Sequence, residues 1–211
     1  SSTGNPLADA GFAAAGARWS SEFTDNVTIN VNTGFAPLDP RILASTSTAD
    51  VFVPYTTVRN ALIADATSSD DLTAAAHLQA GSVNMLINLT ANDPNGAGSA
   101  VPYLDANGSA NNRTISVSRA DAKALGLIAG NNATIDATIT FSSPFSYDFN
   151  PADGIAAGLF DFVGLATHEL GHALGFSSGV DILDTNAPPV AGPFPEDDFT
   201  YVTPLDLFRY S

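Results

Sequence analysis

Two histidines and a glutamate stand at a fixed spacing in the run His-Glu-Leu-Gly-His, as His168, Glu169 and His172. On a helix, residues four apart lie on one face, one turn from each other, so both imidazoles can bind a single metal ion. Neutral imidazole nitrogens are preferred ligands of zinc. The spacing therefore predicts that His168 and His172 are ligands of Zn²⁺.

Glu169 directly follows the first histidine and points about 100° around the helix from it. From there its carboxylate can reach a water on the metal without being a ligand itself. Zinc lowers the pKa of such a water to about 7 and polarises carbonyl groups, and a nearby carboxylate then serves as general base and general acid. We therefore predict that Glu169 is the catalytic residue of a zinc endopeptidase with a protein or peptide substrate.

The surroundings of the motif favour this interpretation over two ordinary core histidines. The chain has three histidines in 211 residues, so this spacing is unexpected by chance. The pattern over 155–174 predicts a helix that is apolar nearly all round and therefore buried. Buried imidazoles and carboxylates need a partner such as a metal. Gly171, in the middle of the predicted helix, indicates that another part of the chain packs closely against it. Gly175 is predicted to be the left-handed residue that ends the helix.

A third zinc ligand is the unsolved part of the site, because catalytic zinc usually has three protein ligands. The short metzincin spacing places Ser178 there, which is a poor ligand. Glu196 is the best candidate of the gluzincin type and Asp206 of the aspzincin type. The other candidates are His77, Asp181, Asp184, Asp197 and Asp198. Downstream carboxylates in such loops are more typical of solvated charges.

The single methionine, Met85, precedes the motif, so no Met-turn follows it in this chain. We therefore expect the third ligand to lie beyond Ser211. Without that ligand, we expect the chain to bind zinc weakly.

The elements that must position the motif follow from hydrophobic periodicity. Alternation predicts strands at 27–31, 83–89, 115–117 and 133–141. Helical spacing and capping patterns predict helices at 54–66, 68–75, 118–126 and 155–174, followed by an irregular, proline-rich tail. Strands and helices mixed in this order indicate an α+β fold.

Three segments resemble a group of bacterial secreted metalloproteases that often carry a PEP-CTERM surface-sorting tail, and that are similar to leishmanolysin-like metzincins. The first segment is 160–181, which contains Thr-His-Glu-Leu-Gly-His-Ala-Leu-Gly-Phe. The second is 203–211, Thr-Pro-Leu-Asp-Leu-Phe-Arg-Tyr-Ser. The third is 120–127, Ala-Asp-Ala-Lys-Ala-Leu-Gly-Leu. The resemblance implies that His168 and His172 bind zinc, that Glu169 is the acid/base, and that a later His-Trp segment and a Met-turn complete the site.

The resemblance also implies a zincin-like α+β fold, with a twisted mixed β-sheet, a buried active-site helix and an irregular C-terminal part. Residues 1–176 would form the N-terminal zincin subdomain, and 177–211 would begin the C-terminal one. In such folds an edge strand above the active-site helix pairs with the extended substrate, and the strand at 133–141 is the candidate for that role. An ordinary sheet strand is the alternative.

Composition excludes several classes of function. The net charge is −15, with 22 acidic and 7 basic residues, which disfavours nucleic acid and anionic membrane surfaces as partners. No cysteine is present, so disulfides and thiol chemistry are excluded. No apolar run reaches the roughly 18–20 residues needed to span a bilayer. We expect a secreted, extracellular protein, with any cell-surface anchor in a segment outside this chain.

Two further expectations stay open from the sequence. Asp148, Asn150 and Asp153 suggest a Ca²⁺ loop, although their spacing departs from the EF-hand pattern and a helix-capping loop is the alternative. The functional alternatives to a peptidase are an extracellular adhesion module with a degenerate metal site, and a metal-dependent hydrolase of non-peptide substrates.

Overall fold

Two compact units divide the chain, and each is assembled from segments distant in sequence. The computed structural model describes residues 2–180, 194–199 and 201–209. The first unit comprises Ser1–Asp50 with Ser118–Phe176, and the second comprises Val51–Val117 with Ser177–Ser211. Helices and small sheets alternate along the chain, which confirms the predicted α+β class. The predicted subdomain division between 176 and 177 stays a prediction.

The helices and strands are short, and their bounds are as follows. The helices are α1 (Pro6–Ser20), α2 (Tyr55–Asp65), α3 (Ser69–Ala76), α4 (Ala110–Arg113), α5 (Arg119–Ala124), α6 (Phe162–Ala173) and α7 (Glu196–Phe199). The strands are β1 (Val31–Ala36), β2 (Ala44–Thr48), β3 (Asp50–Pro54), β4 (Met85–Ile87), β5 (Tyr103–Asp105), β6 (Thr114–Ser118), β7 (Ala137–Ser142), β8 (Tyr147–Asp148) and β9 (Phe160–Asp161). Two 3₁₀ turns lie at Pro151–Asp153 and Leu205–Phe208.

A three-stranded mixed sheet in the order β1-β7-β2 supports the first unit. Strand β1 runs parallel to β7, with Val31 opposite Ala137, and β2 runs antiparallel to it. The prediction that the strand at 133–141 is an edge strand is therefore wrong, because β7 is hydrogen-bonded on both sides. The edge strands of this sheet are β1 and β2.

Helix α6 packs against this sheet and against α1. Helix α1 starts at Pro6, and the Asn5 side chain caps it by accepting from the N–H groups of Leu7 and Ala8. At Gly11 the two helices approach so closely that an added Cβ would lie 2.8 Å from the ring of Phe162. The small residues of α1 therefore set the depth at which α6 is buried.

Aromatic rings fill the space between α6 and the sheet. The ring of Phe162 lies 4.5 Å from that of Phe141 and 6.2 Å from that of Phe35, measured between centroids. Phe141 and Phe162 are fully buried. Full burial of such a side chain is worth about 1.5–3 kcal/mol, so this cluster contributes substantially to holding α6 in place.

The second unit combines short helices with two-stranded sheets. Strand β3 pairs with β6, and β4 pairs antiparallel with β5. The predicted capping box at the start of α3 is confirmed, because Ser68 and Asp71 each accept a hydrogen bond from the backbone of the other. The strand predicted at 83–89 is confined to β4, and Leu89 has a left-handed backbone with φ of 63°.

Two predicted elements of the first unit have different bounds in the structure. The strand predicted at 27–31 begins only at Val31, where pairing with β7 starts. The helix predicted at 155–174 begins at Phe162, because the Asp161 side chain caps it by accepting from the Gly164 N–H at 2.9 Å. Apolar residues before Asp161 continue the helical spacing, so the sequence predicted a start that is too early.

No helix within the described residues is both long enough and apolar enough to cross a bilayer.

A buried ion pair joins α5 to the residue ahead of β7. The Lys123 ammonium lies 2.6 Å from Oδ2 of Asp136, and both side chains are fully buried. Lys123 also donates to the Thr28 carbonyl at 2.7 Å, and Arg119 donates to Asp136 at 3.3 Å. The Asn30 N–H donates to Asp136 as well, at 2.7 Å. Both carboxylate oxygens of Asp136 and the ammonium of Lys123 therefore have hydrogen-bond partners. These contacts hold Asp136 in place and so fix the start of β7 at Ala137.

Replacing the lysine tests this pair. Lys123→Met should lower the free energy of unfolding by about 3–5 kcal/mol, because it leaves a buried carboxylate without its main counter-charge. Chemical denaturation measures the change. The matched control is Arg41→Met, since Arg41 pairs with Asp39 at the surface, where an ion pair contributes little. Equal effects of the two substitutions would contradict this assignment.

Candidate metal centre

Helix α6 presents both imidazoles of the motif on one face. Nε2 of His168 lies 3.1 Å from Nε2 of His172, and the two ring planes are nearly perpendicular. The His168 side chain is exposed and that of His172 is half-buried. One ring is hydrogen-bonded to the other through these atoms, so the two nitrogens lie side by side at the surface of the helix.

The other nitrogen of His172 is held by the backbone. Its Nδ1 lies 2.9 Å from the carbonyl oxygen of Phe176. Because a carbonyl can only accept, the hydrogen of the ring is assigned to Nδ1, and the lone pair is on Nε2. Metal-binding histidines commonly donate their second ring N–H to such a carbonyl, which fixes tautomer and ring orientation.

The Phe176 carbonyl reaches His172 because the chain reverses at Gly175. Gly175 has φ of +99°, its N–H donates to the His172 carbonyl at 3.0 Å, and the Phe176 N–H donates to the Gly171 carbonyl at 3.0 Å. These two bonds form the Schellman arrangement that ends helices on a left-handed residue. The predicted role of Gly175 is confirmed. The Asp121 carboxylate packs against it and leaves no room for a Cβ.

Gly171 also has the close neighbour that the sequence predicts. An added Cβ would lie 3.2 Å from Cζ2 of Trp19, at the end of α1. The Trp19 indole N–H donates to the Thr167 carbonyl at 2.8 Å, and its ring lies 5.4 Å from that of Phe176. Trp19 therefore braces the back of α6 and the turn that follows it.

Glu169 turns inward, towards the sheet. It is 5% exposed, and the Thr46 hydroxyl lies 2.7 Å from its Oε2 and 3.0 Å from its carbonyl oxygen. Thr46 belongs to the edge strand β2, so the sheet orients this carboxylate. As the sequence predicts, α6 is buried or half-buried along its whole length, and His168 is its one exposed residue.

The histidine pair fits two positions of a zinc ion. Two nitrogens about 2.0–2.1 Å from zinc at a tetrahedral angle are roughly 3.3 Å apart, close to the observed separation. Among the described residues, however, no group of three histidine, aspartate or glutamate side chains converges on one point. The described part of the chain thus offers two candidate ligands where a catalytic zinc usually has three.

The downstream candidates for the third ligand have other partners within the second unit. Glu196 accepts from the Tyr103 hydroxyl at 2.7 Å. Asp206 accepts from the Gly179 N–H at 2.8 Å and from the Ser178 hydroxyl at 2.5 Å. These carboxylates organise loops of that unit.

The remaining candidates are placed as follows. Asp197 accepts from the Asn111 N–H at 3.0 Å. His77, at the end of α3, lies 2.7 Å from the Thr73 carbonyl through Nδ1. Asp198 is exposed. Asp181 and Asp184 lie outside the described residues.

The loop suggested for Ca²⁺ has the geometry of a capping loop. Asp148 accepts from the backbone N–H groups of Asn150 and Ala156, each at 2.9 Å. These hydrogen bonds, that from Ala156 foremost, lower the pKa of Asp148. Asn150 caps the 3₁₀ turn Pro151–Asp153 by accepting from Ala152. Calcium binding by this loop stays a prediction.

Sequence reasoning missed the residues that support the motif. Thr46 lies in the run Ala-Ser-Thr-Ser-Thr, which lacks the apolar alternation that marks a half-buried strand. Trp19 lies in a helix made largely of alanine and glycine, where no apolar stripe is visible. The Phe176 carbonyl is a backbone group, so its role depends on the turn and not on its side chain.

Comparison of the chain with known proteins finds no matching family model, no similar curated protein and no similar solved structure. Function is therefore inferred from the motif and its geometry.

Asp121 carries the most clearly perturbed carboxyl next to this helix end. Burial raises its pKa, a hydrogen bond from Ser118 opposes this, and the charge of Asp50 adds to the rise, so that the pKa is about 6. A carboxyl whose pKa is higher in the folded state than in the unfolded chain binds its proton more tightly when folded. Its contribution to stability is therefore greatest at low pH and is lost as pH rises to about 6.

This pH dependence can be measured against a neutral isostere. Relative to the wild type, Asp121→Asn should gain about 2–3 kcal/mol in free energy of unfolding between pH 4 and pH 7.5, because asparagine does not ionise. The difference between the two proteins cancels the titration of all other groups. A difference that is constant over this pH range would show that Asp121 ionises normally.

Proposed function

We propose that this protein is a secreted zinc-dependent endopeptidase. The observation that carries the proposal is the 3.1 Å separation of the two Nε2 atoms of His168 and His172 on the open face of α6. A buried carboxylate, Glu169, adjoins the pair in sequence and is held by Thr46. A pair of candidate ligands and an acid/base are two of the parts that metal-assisted peptide hydrolysis requires, and a third ligand is the remaining part.

Each residue has a separate role in this reaction. When bound, zinc would polarise the peptide carbonyl and acidify water. His168 and His172 hold the ion, and the Phe176 carbonyl keeps the His172 lone pair on Nε2. Glu169 accepts a proton from the attacking water and delivers it to the leaving amine, as a general base and then a general acid. Thr46 donates to Glu169 and keeps one oxygen in place while the other exchanges protons.

The sheet supports the finer, zincin-like interpretation of the fold. Strand β2 is an antiparallel edge of a mixed sheet, and it contacts the helix that carries the motif. An edge strand offers backbone N–H and C=O groups to an extended peptide. We propose β2, in place of the strand at 133–141, as the strand that pairs with substrate.

The resemblance to secreted metalloproteases of the leishmanolysin-like type agrees with these roles. It assigns zinc to the same two histidines and acid/base catalysis to the same glutamate. We propose that a third ligand completes the site, since the described residues supply two.

Loss of the acid/base should abolish hydrolysis without loss of zinc. Glu169→Gln keeps the shape and the Thr46 contact but cannot accept a proton. We expect cleavage of an unfolded protein substrate, with zinc in excess, to fall about 10²–10⁴-fold in kcat/KM. Zinc affinity, measured by equilibrium titration, should match the wild type.

The matched control is Glu22→Gln, because Glu22 is an exposed glutamate. This variant should cleave at the wild-type rate. A Glu169→Gln protein as active as the wild type would contradict the proposal. A wild-type protein that binds zinc but cleaves only non-peptide amides would also contradict it. A wild-type protein that binds no zinc would instead favour an adhesion module.

A further inference from the structure

A cavity of about 660 Å³ opens within the first unit, on the side of α6 that faces away from the histidines. Its walls come from one face of α1, from the segment 23–32 that includes the start of β1, from α5, and from Leu170 and Leu174 of α6. Pockets that bind small organic molecules have volumes of roughly 300–1,000 Å³. The cavity is therefore large enough to hold such a molecule.

The cavity is separate from the candidate metal centre. Successive residues of a helix are rotated by about 100°, so Leu170 and Leu174 lie about 200° and 240° around the axis from His168. His172 lies only about 40° from His168 on the same scale. A molecule in the cavity would thus contact the back of α6 and leave the histidine face open.

A missing side chain on α1 creates part of the space. Phe12, Gly16, Trp19 and Ser20 recur at helical spacing on one face of α1, and all four line the cavity. A Cβ added at Gly16 would meet no atom within 4 Å. Gly16 therefore leaves open volume, unlike Gly11 of the same helix, where an added Cβ would meet the ring of Phe162.

Most of the wall is apolar, and part of it is in contact with water. The rings of Trp19 and Phe23 are stacked, with centroids 5.9 Å apart. Phe23 is 46% exposed and Ile135, on the wall beside α5, is 38% exposed. Covering such surface with an apolar group is favourable, because it removes apolar area from water.

The charged groups on the wall are both acidic. Asp121 is half-buried, and its Oδ2 accepts from the Ser118 hydroxyl at 3.0 Å. The salt bridges of the described residues do not include Asp121. The second carboxylate, Asp25, is exposed. Among the described residues that line the cavity, none is lysine, arginine or histidine.

This combination decides the charge of the ligand. A neutral molecule would remove Asp121 further from water without giving it a counter-charge, which is costly. An anion would be repelled by both carboxylates, whereas the net charge of −15 attracts cations to the protein. The pKa of Asp121, raised chiefly by burial, is about 6, so the carboxylate is ionised at pH 7.5.

We propose that this cavity binds an apolar molecule that carries one protonated amine. The ammonium pairs with the Asp121 carboxylate through a charge-assisted hydrogen bond, and the aromatic and aliphatic wall covers the rest of the molecule. The site goes beyond the proposed peptidase activity, and it uses neither the histidines nor Glu169.

The single tryptophan of the chain reports binding directly, because Trp19 lines the cavity. The probe is dansylcadaverine, which has an apolar fluorophore and one primary amine, and dansyl pentylamide is the same molecule without the amine. At pH 7.5 we expect dansyl emission on tryptophan excitation of the full chain. The amine should bind about tenfold or more tightly than its neutral analogue.

Three variants assign the two halves of the site. Asp121→Asn should abolish the preference for the amine and leave the affinity for the neutral analogue unchanged. Asp25→Asn is the matched control and should change the preference less than about threefold, because an exposed carboxylate is well solvated. Gly16→Leu should abolish binding of both probes by filling the cavity. Its Tm should not fall, since leucine is the better helix former.

The wild-type comparison keeps the test decisive if a variant fails to fold. Equal affinity of the wild type for the two probes would overturn the proposal, as would the absence of tryptophan-sensitised emission with dansylcadaverine. Undiminished binding to Gly16→Leu would place the probe elsewhere and also contradict it. Saturating Zn²⁺ and the Glu169→Gln substitution should leave probe binding unchanged, so failure of the peptidase proposal would leave this result intact.

Discussion

The hydrogen bond between Nδ1 of His172 and the Phe176 carbonyl is the contact on which the candidate site depends. It decides which nitrogen carries the lone pair and in which direction that lone pair points. The bond exists because Gly175 turns the chain in a left-handed conformation and returns the carbonyl to its own helix. A residue with a Cβ would be strained in that conformation and would overlap the Asp121 carboxylate. The conformation of Gly175 at the end of the helix therefore determines which nitrogen of His172 is free to bind a metal.

The remaining packing keeps the helix oriented so that this contact is useful. Trp19 braces the back of the helix through Gly171 and the Thr167 carbonyl, and Phe162 anchors its start among the rings of the core. Thr46 draws the carboxylate of Glu169 towards the sheet, while His168 faces the surface. The helix therefore separates its side chains by function, with packing on one side and potential ligands on the other.

Local signals in the sequence predicted local features well. The histidine spacing, the Gly175 turn and the capping box at Ser68 each depend on a few neighbouring residues, and the structure contains all three. Gly171 predicted a close contact, but its partner, Trp19, is distant in sequence and was not predictable. Features that depend on partners distant in sequence were not predictable. The position of β7 in its sheet is set by β1 and β2, about a hundred residues earlier. The partners of Glu196 lie in another loop of its unit, so its burial could not be inferred from its acidic surroundings.

Zinc K-edge X-ray absorption of the zinc-loaded protein shows whether His168 and His172 bind the metal, because it reports the atoms around the ion. We expect two imidazole ligands with zinc–nitrogen distances of about 2.0–2.1 Å. The outer-shell scattering of those rings should drop to one imidazole in His168→Ala and in His172→Ala. A shell of oxygen atoms without imidazole scattering, or a spectrum unchanged by either substitution, would contradict the assignment of these histidines as a metal site.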